Sequence, residues 1–191
     1  IIFSLFYGTI YAHLEVGIRM YKDRVFIVSD LHGLGNVYFG IIDYLEKLQR
    51  IHPEQKIILY INGDLIDSGN DSIKMLLDVM ERVKGKGLIE VHMMAGNHEL
   101  IMYEAIVNRK NGEWPECSWL VPSNGGIGTM CDFVKLPIEK QCEITEFLSN
   151  LPLYKTFDGY IVGKEGIVLA HACPPNNLVD FDKWEFKICL L

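Results

Sequence analysis

Basic residues are in deficit. The 191-residue chain carries 18 Lys and Arg against 25 Asp and Glu, a net charge of −7, and only five residues are arginine. A binder of nucleic-acid backbone needs a cationic face, so the composition argues against a nucleic-acid module. An acidic protein that handles phosphate needs metal ions to reverse the local field. Paired cysteines are also missing. Cys117, Cys131, Cys142, Cys173 and Cys189 are odd in number and contain no CxxC pair, which excludes a disulfide framework and a zinc knuckle. The expected address is therefore a reducing, cytoplasmic compartment, which an export leader ahead of Ile1 would alter. No long apolar run exists: His13, Glu15 and Arg19 interrupt the apolar start, so no membrane span is expected. There is no basic leader and no initiator Met, so no signal peptide is visible. Repeats and low-complexity stretches are absent. What remains is 49% hydrophobic and 23% charged, enough for a large core. At roughly 150 residues per domain, residues 1–191 read as one domain, expected to be incomplete at its C-terminus.

From Arg24 onward, short apolar runs alternate with amphipathic ones, the pattern of an α/β protein. Val25-Phe26-Ile27-Val28 predicts a buried strand, and Asn36 to Ile51 a helix, with Val37, Ile41, Leu45 and Leu48 at helical spacing. Lys56 to Ile61 predicts the second strand. A helix follows from Ser72, with Asp71 or Ser72 as its cap. Leu88 to Met94 predicts the third strand and Glu99 onward another helix. Gly112 to Val134 holds Trp114, Trp119, two Pro and four Gly, which predicts a long irregular excursion. Ile138 to Leu151 predicts a helix. Tyr154–Phe157, Tyr160–Val162 and Ile167–Ala170 predict a closing antiparallel set.

Four predicted strands end in residues able to hold a metal: Asp30 and His32, Asp64, Asn97 and His98, and His171. Ligands of open α/β sheets bind beyond the carboxyl ends of the strands, so these four ends predict one rim. A lone Asp-x-His arises by chance, and a lone His171 is more often a core histidine. Four such pieces, in order, at four strand ends are much harder to obtain by chance. Mixed oxygen and nitrogen donors without thiolate suit Mn²⁺, Fe or Zn²⁺. The two oxygens of Asp64 can bridge two ions, and ions about 4 Å apart acidify a water and neutralise a phosphoryl group. An imidazole paired with a carboxylate, His98 with Asp67, is fixed in orientation and stays protonated to higher pH. The other histidines read as bland, with His92 packed in its strand and His52 in a turn. Trp114 and Trp119 read as covering an edge of the core.

Asp30-x-His32-Gly33, Gly63-Asp64-x-x-Asp67, Gly96-Asn97-His98-Glu99 and His171-Ala172 resemble the motif series of the calcineurin-like metallophosphoesterases. Within them the resemblance is to the phosphoprotein phosphatase branch, with its bacterial and phage serine/threonine phosphatases. Leu151-Pro152-Leu153 leading to His171-Ala172-Cys173-Pro174-Pro175, and Asn124-Gly125-Gly126 with Thr129, are similar to stretches of that branch. The resemblance covers Arg24 to Pro175. It implies a central mixed β-sandwich flanked by helices, with a dimetal site at the strand ends. It implies Asp30, His32 and Asp64 on a first ion, Asp64, Asn97 and His171 on a second, His98 as general acid and Asp67 as its orienting partner. Glu99 is expected to be a structural hydrogen-bonder. The cofactor expected is a pair of divalent ions, Mn²⁺ before Fe or Zn²⁺. The activity expected is phosphomonoester hydrolysis on a phosphoprotein or phosphopeptide by a metal-activated hydroxide. The alternatives are a dinucleoside polyphosphate hydrolase of the diadenosine tetraphosphatase type and a silent phosphatase-like binding module. The sequence departs from the branch at Ser68, where the branch carries a phosphate-binding Arg; Arg109 is the stand-in. It also has no His after His171, where the family places one more ligand.

Overall fold

The computed structural model describes residues 2–6, 9–13, 23–110, 112–158, 166–172 and 186–189. The strands β1 (Ile2–Phe6), β2 (Thr9–His13), β3 (Arg24–Val28), β4 (Ile57–Asn62) and β5 (Glu90–Met94) form one sheet in the order β2-β1-β3-β4-β5. β3, β4 and β5 run parallel, β1 joins β3 in parallel, and β2 is antiparallel to β1. The crossovers are made by α1 (Gly35–Ile51) and α2 (Ser72–Val83). Parallel strands need such helices to return the chain to the same end of the sheet.

Successive side chains of a strand point to opposite faces, and here both faces are covered. Phe26, Val28, Leu59, Ile61, Val91 and Met93 face the helices, where they meet Tyr38, Ile42 and Leu45 of α1 and Leu76 and Val79 of α2. Their neighbours Val25, Ile27, Ile58, Tyr60 and Met94 face the other way, against Phe157 and Leu169. Those two belong to a second sheet of β6 (Tyr154–Asp158), β7 (Gly166–Ala170) and β8 (Phe186–Cys189). All six residues of β4 are buried, as double coverage requires. The result is a sheet-on-sheet sandwich with helices on the outer face. The helical layer continues in α3 (Asn97–Val107), α4 (Gly126–Phe133) and α5 (Ile138–Ser149).

Three expectations change. The excursion from Gly112 to Val134 is not irregular throughout, since it contains two 3-10 turns, Ser118–Leu120 and Pro122–Asn124, and then α4. Its many Gly and Pro residues mask an eight-residue helix. The closing strands β6 and β7 pair antiparallel as expected, and β8, outside the expected set, joins β7 in parallel. Asp71 occupies the N-cap position of α2 without a side-chain capping bond; the Ser72 hydroxyl turns instead to accept the Asp67 N–H at 2.9 Å. His92 is only half-buried, stacked on Tyr60 and bonded to Glu90. The expected strand Tyr160–Val162 lies outside the described residues, as do Cys173 to Pro175. Cys117, Cys131 and Cys142 are free thiols. No helix among the described residues is long and apolar enough to cross a membrane.

Candidate functional site

Because β3, β4 and β5 are parallel neighbours, their carboxyl ends lie along one edge. Asp30 and His32 follow β3, Asp64 follows β4, and Asn97 and His98 open α3 after β5. His171 reaches the same edge from the second sheet. Asn62 joins the layers: its side-chain amide donates to the Ala170 carbonyl at 3.1 Å, and its own carbonyl lies 2.8 Å from His171 Nδ1. The loops are laced by backbone bonds, from His32 N–H to the Asp64 carbonyl at 3.0 Å and from Gly33 N–H to the Leu65 carbonyl at 2.8 Å.

The backbone at this rim is strained. Asp30, His32, Asp64, Asp67 and Ser68 all have φ between 43° and 75°, a region that costs an L-residue roughly 1–2 kcal/mol. They are the only non-glycine residues with positive φ among those described. Strain gathered at one place, and held there by the surrounding bonds, is a mark of a functional site.

Asp64 is the centre. It is buried, and its Oδ2 is faced by three imidazole nitrogens: His171 Nε2 at 3.3 Å, His32 Nε2 at 3.8 Å and His98 Nε2 at 4.0 Å. Its Oδ1 accepts the His98 N–H at 3.1 Å. The far nitrogen of each ring is already committed: His32 Nδ1 to the Ile66 carbonyl, His171 Nδ1 to the Asn62 carbonyl and His98 Nδ1 to Asp67 Oδ2 at 2.8 Å. Carbonyl oxygens only accept, so Nδ1 of His32 and His171 must carry the proton and Nε2 is left with a lone pair. Lone pairs gathered around a carboxylate repel unless a cation, a proton or a metal, sits among them.

Without metal, the proton does this. Burial lowers the His171 pKa, but its bond to Asp64 overrides burial and lifts it to about 9. Burial would raise Asp64, yet His171 and then His98 hold it below the usual carboxylate range. His98 is lowered by burial and raised by more through Asp67 and Asp64, for a net rise.

Two sets of donors lie within 4.8 Å of one another: His32, Asp64 and His98, and Asp30, Asp64 and His171. Asp64 is common to both. Asn97 is exposed, and its Oδ1 lies 3.3 Å from His171 Nε2. Hard oxygens with imidazole nitrogens, the latter fixed by partners on their far side, form the donor chemistry of a divalent-metal centre. Glu99 is fully buried and accepts N–H bonds from Asp64, Leu65 and Gly96 at 2.8–3.0 Å. Burial, then the nearby Asp64, raises its pKa. It clamps the Asp64 turn onto the start of α3.

The sequence reading missed Trp119. It does not merely cover an edge of the core: fully buried, it donates its indole N–H to both oxygens of Asp67, at 3.0 and 3.1 Å. An apolar-looking loop tryptophan offers no signal of such a bond. Arg109 is engaged elsewhere, bonded to the Gly112 carbonyl and stacked 4.9 Å over Trp114. Ser68 stands exposed next to Asp67.

No curated protein matches the chain significantly. A family model described as calcineurin-like phosphoesterase matches residues 23–186, most of its length.

Proposed function

The chain belongs to the calcineurin-like phosphoesterases, and from that premise we propose that it is a protein phosphatase, hydrolysing phosphomonoesters on phosphoproteins at the rim around Asp64. The observation that carries the site is the ring of three Nε2 atoms about one buried carboxylate. Asp30, His32, Asp64, Asn97 and His171 would hold two divalent ions, Mn²⁺ being the first to test. Bound there, such ions acidify water and neutralise phosphoryl charge. Asp64 serves both positions. His98, tied to Asp67 through Nδ1, turns Nε2 into the site and stands ready to protonate the leaving oxygen. Asp67 fixes the ring and balances the charge of the imidazolium.

The phosphoprotein assignment is supported by the motifs shared with that branch. Pro152 of the Leu151-Pro152-Leu153 stretch accepts the Ala95 N–H at 2.9 Å, beside the entry to α3, so this stretch braces the site. The test is metal-depleted protein assayed on para-nitrophenyl phosphate, a phosphopeptide and a dinucleoside polyphosphate, with Mn²⁺ added back. Metal-dependent phosphopeptide turnover is the expected result; faster release of nucleotide from the dinucleotide would assign the protein to the nucleotide hydrolases instead.

His171 gives chelator-treated protein a pH signature. A folded-state pKa raised from 6.5 to about 9 adds stability that is complete below the unfolded value and lost as pH climbs through the folded one. The melting temperature of chelator-treated protein should therefore fall between pH 6.5 and about 9. Excess divalent metal should flatten that slope, because the ion takes the place of the proton. A slope unaffected by metal would place the ion elsewhere.

Ser68 bears on affinity. A guanidinium grips two phosphate oxygens at once and a hydroxyl cannot. Ser68→Arg should lower KM for small phosphoesters roughly ten-fold, the worth of a charge-assisted bond. An unchanged KM in the folded variant would mean that the pocket already has its phosphate anchor.

A further inference from the structure

The Asn124-Gly125-Gly126 turn and Trp119 are left without a role by the reading above, and they meet at Asp67. We propose that Trp119, seated by Gly126, is a positioning residue that aims the Asp67 carboxylate at His98. This inference rests on the assignment of His98 as the acid, and it adds a part of the chain 52 residues from Asp67 to the acid's support.

Four observations carry it. Asp67 is fully buried and held at φ 75°, so its carboxylate depends on donors within the protein. Its side-chain donors among the described residues are His98 Nδ1 at 2.8 Å and Trp119 Nε1, which bridges both oxygens at 3.0 and 3.1 Å. A donor placed across both oxygens fixes the plane of the carboxylate and leaves Oδ2 toward His98. The indole in turn has its seat in a glycine. A Cβ on Gly126 would lie 2.5 Å from Trp119 Nε1 and 2.3 Å from the Trp119 carbonyl, far inside contact distance. The preceding Gly125, at φ 68°, lets the same turn close on the Asp67–Ser68 backbone: a Cβ there would lie 2.6 Å from Ser68 N, which donates to the Gly125 carbonyl at 3.4 Å. The two glycines thus serve two approaches, one to the backbone beside Asp67 and one to the indole bound to its carboxylate. A buried indole N–H takes an acceptor, and here that acceptor is the carboxylate bonded to His98; a buried carboxylate loses much when a donor is withdrawn.

Trp119→Phe keeps most of the ring and removes the donor. In full-length metal-loaded protein it should lower kcat roughly 10- to 100-fold, with KM and metal content unchanged. The loss should be larger for phenyl than for nitrophenyl phosphate, because only the poor leaving group needs full protonation. Gly126→Ala leaves every donor in place but crowds the indole, and it should give the same split. Made in an Asp67→Asn background, Trp119→Phe should cost less than a further three-fold, since a residue acting through Asp67 has nothing left to position. Equal losses in both backgrounds, or a loss shared by KM and metal content, would reduce Trp119 to packing. A second readout does not need turnover. In Zn²⁺-loaded protein the hydrogen-bonded His98 Nδ1 proton should give a downfield resonance absent from His98→Asn, and Trp119→Phe should shift it. If Trp119→Phe shifts the resonance while the parent protein shows no metal-dependent turnover, the phosphatase reading falls and the positioning role stands; an unmoved resonance overturns the role whatever the activity.

Discussion

Asp64→Asn should abolish turnover and strip metal from both positions. The side chain stays the same size, so the effect isolates charge and donor number. One carboxylate oxygen is ringed by Nε2 of His32, His98 and His171, and the other is bonded to the His98 backbone N–H. An amide offers one neutral oxygen in place of two anionic ones, and its NH₂ would point at lone pairs or at an ion. Neither donor set keeps its shared anion, so both lose affinity together. Turnover should fall below detection and metal analysis should show loss of both equivalents. Two ions retained in a folded Asp64→Asn protein would end the bridging role.

His98→Asn should lower kcat by roughly 10²–10⁴, the worth of a positioned acid, with both metals kept. The defect should shrink as the leaving group improves. Metal content matters here, because His98 Nε2 also falls within one of the two donor sets, with His32 and Asp64. A general acid and a metal ligand make opposite predictions. Loss of one ion in His98→Asn, with equal damage to good and poor leaving groups, would make His98 a ligand. The bond from Nδ1 to Asp67 stabilises the imidazolium that an acid must carry, and the metal analysis decides between the two roles.

Much of this rim is legible in the sequence because its logic is local. Val25–Val28, the run ending in Ile61 and the run ending in Met94 are short apolar stretches followed by Asp30, Asp64 and Asn97. Parallel strands put such endings on one edge wherever the helices between them return the chain. Periodicity alone marks α1 and α2, because a single apolar stripe dictates each. Other features depend on how distant segments meet. That His171 Nε2 comes within 3.3 Å of Asp64 from a second sheet is decided by the stacking of two sheets. The helix α4 hides in a glycine-rich stretch because its first glycines answer to Trp119 and Ser68, not to helix propensity. The bond between Trp119 and Asp67 spans 52 positions and follows from no local rule. Sequence by itself determined which side chains could bind a metal and at which strand ends they stand, since hydrogen bonding and side-chain period act over a few residues. Only the tertiary structure decided which nitrogens face Asp64 and what holds Asp67, because those contacts exist only after the sheets and loops have packed.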